Sequence, residues 1–244
     1  MSTNSIPTRG INGIRFRSRI EAQWAEMFTK LGWEWEYEPI DLNGYIPDFI
    51  IKFPNRHLLV EVKGETNIEN IEQYADKIIK SGWDGEFLLV CSVLENYDHY
   101  AKIRGQYGIN DDGFILSLGL LGATRERYNY SDFRSDKQAL SDDLDDLDDL
   151  DDLDDLSLKD KIKNTDYSCP YYPSKKKEDF ASLSICECCK KYSIFNINPG
   201  VYWCRYCGKT PNLLKTIIYK NTDEYNKIQD FWIEAKNHSQ WKSK

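Results

Sequence analysis

Residues 46–64 read IPDFIIKFPNRHLLVEVKG. Asp48 opens the apolar run Phe49, Ile50, Ile51, Lys52, Phe53, and Leu58, Leu59 and Val60 lead into Glu61, Val62 and Lys63, so both runs read as largely buried strands. Pro54, Asn55 and Arg56 make the turn between them. Successive side chains of a strand point to opposite faces, which puts Glu61 and Lys63 on one face and Val62 on the other. A hairpin then lets Asp48 meet Glu61 and Lys63. Charges at the end of an apolar strand are costly to desolvate unless they pair with one another or with a cation. Hard oxygen donors of this kind suit Mg2+ or Mn2+, which bind through a few carboxylates together with phosphate oxygens and waters. The chemistry expected is metal-assisted hydrolysis of a phosphodiester. Lys63 would orient or deprotonate the attacking water, or hold a phosphate oxygen.

Working outward, SRIEAQWAEMF (18–28) begins a helix, with Ser18 as N-cap, Glu21 at capping-box spacing, and Ile20, Trp24, Met27, Phe28 and Leu31 as its apolar stripe. Glu21 has two readings, cap partner or additional metal ligand, and spacing does not separate them. Trp33 to Glu38 alternates aromatic and acidic residues as a half-buried strand ending at Pro39. Beyond Gly64, a helix capped at Thr66 or Asn67 carries Ile71, Tyr74, Ala75 and Ile78 at helical spacing and ends near Gly82. A buried strand, Phe87 to Val93, follows. Helix, three strands, helix and strand in that order predict an α/β fold around a mixed central sheet.

The succession SRIEAQWAEMF, LGWEWEYEP, YIPDF and LVEVKG resembles the PD-(D/E)xK nuclease superfamily, in particular its small phage-type and large-DNA-virus-type members, over residues 14 to about 92. The resemblance implies a restriction-endonuclease-like αβββαβ core acting on nucleic acid, DNA rather than RNA. It implies Asp48 and Glu61 as metal ligands, the backbone carbonyl of Val62 as a further ligand, Lys63 as the catalytic lysine and Glu21 as an accessory acid. Members of such a superfamily can lose catalysis and keep binding, so a catalytically inactive nucleic-acid-binding or scaffold protein is the alternative.

Residues 141–156 hold five Asp-Asp-Leu repeats. Leucines three apart drift by about 60° per repeat on a helix, and the ten aspartates repel one another, so the tract reads as an acidic linker, with a docking element for a protein partner as the functional alternative. Without those ten aspartates the formal net charge of −8 becomes +2. The chain thus divides into a nuclease-like domain over 1–135, a low-complexity linker over 136–165 and a basic C-terminal unit over 166–244.

That last unit carries Cys186-x2-Cys189 and Cys204-x2-Cys207, the spacing of a four-cysteine site for one structural Zn2+, and resembles a zinc ribbon. In CECC the x2 spacing favours Cys186 and Cys189 and leaves Cys188 spare. Lys190, Lys191, Trp203, Arg205, Tyr206 and Lys209 interleave aromatics with positive charge around the knuckles, a combination suited to phosphate contact and base stacking. An amphipathic helix capped near Thr222 closes the unit. An odd count of seven cysteines argues against a disulfide framework, and no apolar run reaches membrane-span length. The start, MSTNSIPTRGING, lacks a signal-peptide core. A reducing, cytoplasmic-type compartment is therefore expected. The abundance of Ile, Lys, Asn and Tyr suits an AT-rich genome, so a viral protein in an infected host is the expected origin.

Overall fold

The computed structural model describes residues 7–54, 56–67, 71, 73–98, 114–123, 179–196, 204–209, 218 and 220–240. The acidic tract, Trp203 and Cys169 lie outside these residues. The fold is mixed α/β. A short pair, β1 (Thr8–Arg9) and β2 (Arg15–Phe16), precedes α1 (Arg19–Lys30). Then come β3 (Glu34–Tyr37), β4 (Phe49–Phe53), β5 (Arg56–Val62), α2 (Ala75–Lys80) and β6 (Glu86–Val90). The chain continues through β7 (Glu95–Asp98), β8 (Phe114–Ala123), β9 (Asp179–Ile185), β10 (Tyr192–Asn196) and α3 (Asp223–His238).

Helix α1 starts where the sequence says it should. Ser18 Oγ accepts a hydrogen bond from the Glu21 N–H and donates one to Glu21 Oε1 at 2.8 Å, which satisfies an orphan donor of the first turn. Ala22, Trp24, Ala25, Met27 and Phe28 are buried along the helix. Helix α2 is described from Ala75, and the expected start near Asn67 runs into residues 68–70 and 72, outside the described residues.

Eight strands form one sheet in the order β10-β9-β8-β6-β5-β4-β3, with β7 also paired to β8. Only β5 and β6 run parallel; the other pairs are antiparallel. On one face Phe49, Ile51, Phe53, Leu58, Val60 and Val62 join Trp24, Phe28 and Trp33 in an aromatic-rich core. On the other, Leu59, Phe87 and Leu89 pack with Ile71, Ala75 and Ile78. Strand β8 bulges between Ser117 and Leu120, where a side chain at Gly119 would put Cβ 1.9 Å from the Leu89 carbonyl oxygen.

The C-terminal strands are not a separate unit, which corrects the expected division at residue 166. β9 pairs with β8, and Ala181, Leu183, Ile194, Ile228 and Trp232 belong to the same core as Trp24 and Val60. The cause lies in β8, whose Leu116, Leu118, Leu120 and Leu121 are all buried. A strand buried on both faces is a central strand and needs a neighbour on each edge; β6 supplies one and β9 the other. Helix α3 lies against α1, with Trp232 and Trp24 ring centroids 4.7 Å apart and Lys30 Nζ 2.6 Å from Glu234 Oε2.

Arg205 is a second correction. Expected at a nucleic-acid surface, it is 2% exposed. Its Nη2 and Nε donate to Glu86 Oε1 and Oε2 at 2.7 and 3.2 Å, and its Nη1 donates to the Ile194 carbonyl. A guanidinium fork matches a carboxylate, and Glu86, itself buried at the start of β6, would be costly unpaired. Arg56 Nη1 also lies 3.4 Å from Glu86 Oε2, so removing Arg205 leaves the buried carboxylate with the weaker of its two partners. Arg205→Met is therefore expected to lower the unfolding free energy by about 3 kcal/mol in urea titrations, and the double variant with Glu86→Leu to recover part of that loss; an unchanged midpoint for Arg205→Met would contradict the role of the pair.

Candidate active site and four-cysteine centre

The β4–β5 register places Phe49 opposite Val60, so Asp48 falls beside Glu61 at the end of the strand pair. Asp48 is 3% exposed and Glu61 7%. Asp48 Oδ2 accepts the Val62 N–H at 2.7 Å, and Oδ1 accepts Arg17 Nη2 at 2.5 Å. Glu61 Oε2 accepts the Tyr45 hydroxyl at 2.6 Å, and Oε1 accepts Lys63 Nζ. Lys63 Nζ also lies 4.7 Å from the centre of the Tyr74 ring, and the Lys63 N–H donates to the Val90 carbonyl of the parallel neighbour β6. Asp48, Glu61 and Lys63 therefore converge as the strand pattern predicts.

Burial pushes the Asp48 carboxyl up to about 7; the charge of Glu61 adds to this, while the Val62 N–H and Lys63 work against it. Burial and the charge of Glu61 likewise raise the Tyr45 hydroxyl.

Glu21 faces the start of α1 and Tyr37. Beyond the Ser18 contact, its Oε2 accepts the Arg17 N–H at 3.0 Å and the Tyr37 hydroxyl at 2.6 Å. It nonetheless adds to the negative potential on Asp48. The Val62 N–H is committed to Asp48, which ties that backbone to the site.

Sequence reasoning missed Arg17 and Tyr45. Arg17 immediately precedes the N-cap and pairs with both Asp48 and Glu38, its Nε lying 2.7 Å from Glu38 Oε1. Burial opposes its charge, but Asp48, Glu21 and Glu38 more than offset this and keep it protonated. Glu38 adopts φ 46°, a left-handed conformation uncommon outside glycine, just before Pro39. Tyr45 is set by a two-residue turn at Asn43-Gly44, with φ of 55° and 87°, closed by reciprocal Leu42–Tyr45 backbone bonds. The dipeptide Asn-Gly was the available signal.

The four cysteines form the second centre. Sγ of Cys186 lies 3.7 Å from Cys207, and Sγ of Cys189 lies 3.6 Å from Cys204. All four Sγ atoms fall within 4.8 Å of one another, and among the described residues theirs is the one group of three or more His, Cys, Asp or Glu that does so. Thiolates about 2.3 Å from a tetrahedral ion stand roughly 3.8 Å apart, so the centre has the spacing of a metal site, consistent with a structural zinc. Cys188 is exposed and outside it. The two knuckles are alike: the Lys190 N–H donates to the Cys186 carbonyl and the Gly208 N–H to the Cys204 carbonyl, both at 2.8 Å. Lys190 and Gly208 share a left-handed φ, 57° and 70°. Burial opposes the Cys186 thiolate, but backbone N–H groups of Cys189 and Cys188 and the neighbouring thiols bring it down to about 7.

This centre sits away from the carboxylates. Tyr206 packs edge-on against Phe53 with centroids 5.2 Å apart, and its hydroxyl donates to the Gly32 carbonyl at 3.2 Å. Phe53 ends β4 opposite Asp48, roughly 17 Å along the strand. Half-buried Tyr206 is a packing residue, and Lys191 Nζ covers its ring at 4.5 Å. Lys190, Lys191 and Lys209 are exposed. No described helix is long and apolar enough to cross a membrane.

Two outcomes follow from these geometries. Stripping metal with a strong chelator, or replacing Cys189 with Ser, is expected to lower the melting temperature by roughly 10 °C, while Cys188→Ser leaves it in place; equal effects of the two substitutions would contradict the assignment. The second concerns pH. Because the folded state raises Asp48 above its usual 3.8, folding takes up protons between about pH 4 and 7, and that contribution is lost as pH rises through the window. In chelator, Asp48→Asn should therefore gain stability relative to wild type on going from pH 4 to pH 8, as read by urea unfolding at each pH; a pH-independent difference would contradict the burial of a strained acid pair. No protein-family model, no curated protein and no solved structure matches this chain.

Proposed function

We propose that this protein is a Mg2+- or Mn2+-dependent nuclease with a PD-(D/E)xK, restriction-endonuclease-like core, and that DNA is its substrate. The observation that carries the reading is the pair of buried carboxylates, Asp48 and Glu61, brought from neighbouring strands to one point with Lys63 beside them. Counted formally, Glu21, Glu38, Asp48 and Glu61 face Arg17 and Lys63, a surplus of two negative charges. Hard oxygen donors with such a surplus suit a divalent cation. A cation held there would neutralise charge building on the phosphoryl oxygens and acidify the attacking water. Lys63, anchored to Glu61 and lying against the Tyr74 ring, is positioned to hold a phosphate oxygen or take a proton from water. Tyr45 fixes the other Glu61 oxygen and so its rotamer.

The four-cysteine centre is read as a structural zinc that braces the β9–β10 hairpin. Exposed Lys190, Lys191 and Lys209 remain a basic surface for the nucleic-acid backbone, and the Asp-Asp-Leu tract remains a linker or partner-docking element. One observation favours the rival reading, a non-catalytic binding or scaffold protein: every oxygen of Asp48 and Glu61 already has a donor within the chain. Cleavage assays separate the two. With Mg2+, wild type is expected to cut plasmid or single-stranded DNA, and Asp48→Asn and Lys63→Ala to fall at least about a hundredfold. DNA retention without turnover in all three would establish the rival.

A further inference from the structure

We propose that Arg17 and a divalent ion compete for Asp48, and that an ion bound there turns the guanidinium away and frees it to position a nucleic-acid phosphate. This inference rests on the nuclease reading above. The four carboxylate oxygens of Asp48 and Glu61 each accept a hydrogen bond, from Val62 N–H, Arg17, Tyr45 and Lys63. Each oxygen keeps a second lone pair, but two of the four donors, Arg17 and Lys63, are cations and repel an ion approaching the oxygens they hold. Val62 N–H belongs to the backbone of β5 and does not retract. The Asn43-Gly44 turn sets the Tyr45 backbone, and the ring packs against the second core. The Lys63 side chain is 22% exposed and lies against Tyr74. The Arg17 side chain is 53% exposed, against 5% for its partner Asp48, so it can swing into solvent at small cost.

Arg17 also has somewhere to stay. Its Nε pairs with Glu38 Oε1 at 2.7 Å, and its backbone N–H is held by Glu21 Oε2 and the Tyr37 hydroxyl at 3.0 Å each. Losing Asp48 therefore leaves the guanidinium tethered at the rim with its Nη donors open. A planar fork of that kind matches two oxygens of a phosphate. A divalent ion cancels the formal surplus of two carboxylate charges, so the freed arginine has an anionic ligand to seek in the substrate rather than in the protein. Arg17 is thus a positioning residue whose two partners, Asp48 and a phosphate, alternate with metal occupancy.

The test uses the full-length, zinc-loaded protein. Mn2+ affinity is titrated by the electron paramagnetic resonance signal of free Mn2+, and affinity for a labelled DNA oligonucleotide is read by anisotropy in Ca2+. Arg17→Gln is expected to bind Mn2+ roughly five- to tenfold more tightly and DNA roughly tenfold more weakly, with Arg17→Lys intermediate in both. A purely structural arginine would weaken both together, and that result, or an unchanged Mn2+ affinity, overturns the proposal. Asp48→Asn in the same titration reports whether the Mn2+ site contains Asp48. If wild type and Arg17→Gln both fail to bind Mn2+ while remaining folded by circular dichroism, the nuclease reading falls as well.

Discussion

The pairing of Phe49 with Val60 across β4 and β5 is the constraint from which the rest of the site follows. A slip of one residue would turn Phe49, Ile51 and Phe53 away from the core and send the acids apart. The register is locked by aromatic packing: Phe28 meets Phe49 edge-on at 5.5 Å, and Trp33 meets Phe53 at 5.6 Å. The cost of crowding Asp48 against Glu61 is met by burial elsewhere along the same two strands. An acid pair that is unfavourable in itself thus persists because the hydrophobic residues beside it have no other register.

The C-terminal residues complete this sheet from the other side. β9 covers the open edge of β8, the four cysteines gather at the turn of the β9–β10 hairpin and the Cys204–Cys207 knuckle, and Arg205 projects from that knuckle onto Glu86. Glu86 begins β6, which runs parallel to β5 and ends beside Val62. The cysteine centre and the carboxylates therefore stand at opposite ends of the same strands. This placement makes the cysteine centre a brace for the sheet, with Arg205 buried, Tyr206 half-buried and the lysines around the knuckles exposed.

Features set by local chemistry were legible in the sequence. The Ser18–Glu21 capping box, the apolar runs of β4 and β5, the Thr222 cap of α3 and the paired x2 cysteines all follow from short-range spacing. What escaped depends on distant partners. Glu86 lies 119 residues from Arg205, and nothing near either residue announces the other. Arginine among tyrosines and lysines looks like a surface reader until a buried carboxylate claims it. Likewise the length of β8 depends on a distant partner, since its pairing with β6 carries it to Ala123. Arg17 was hidden by a subtler cause, since its side chain serves a strand two elements away while its backbone serves the helix cap.

The most direct measurement of the central claim is an anomalous-scattering map from crystals of the zinc-loaded protein soaked in Mn2+. The account predicts a manganese peak within coordination distance of both Asp48 and Glu61, with Arg17 turned away from Asp48. A map with no manganese at these carboxylates, and Arg17 still seated on Asp48, would contradict it.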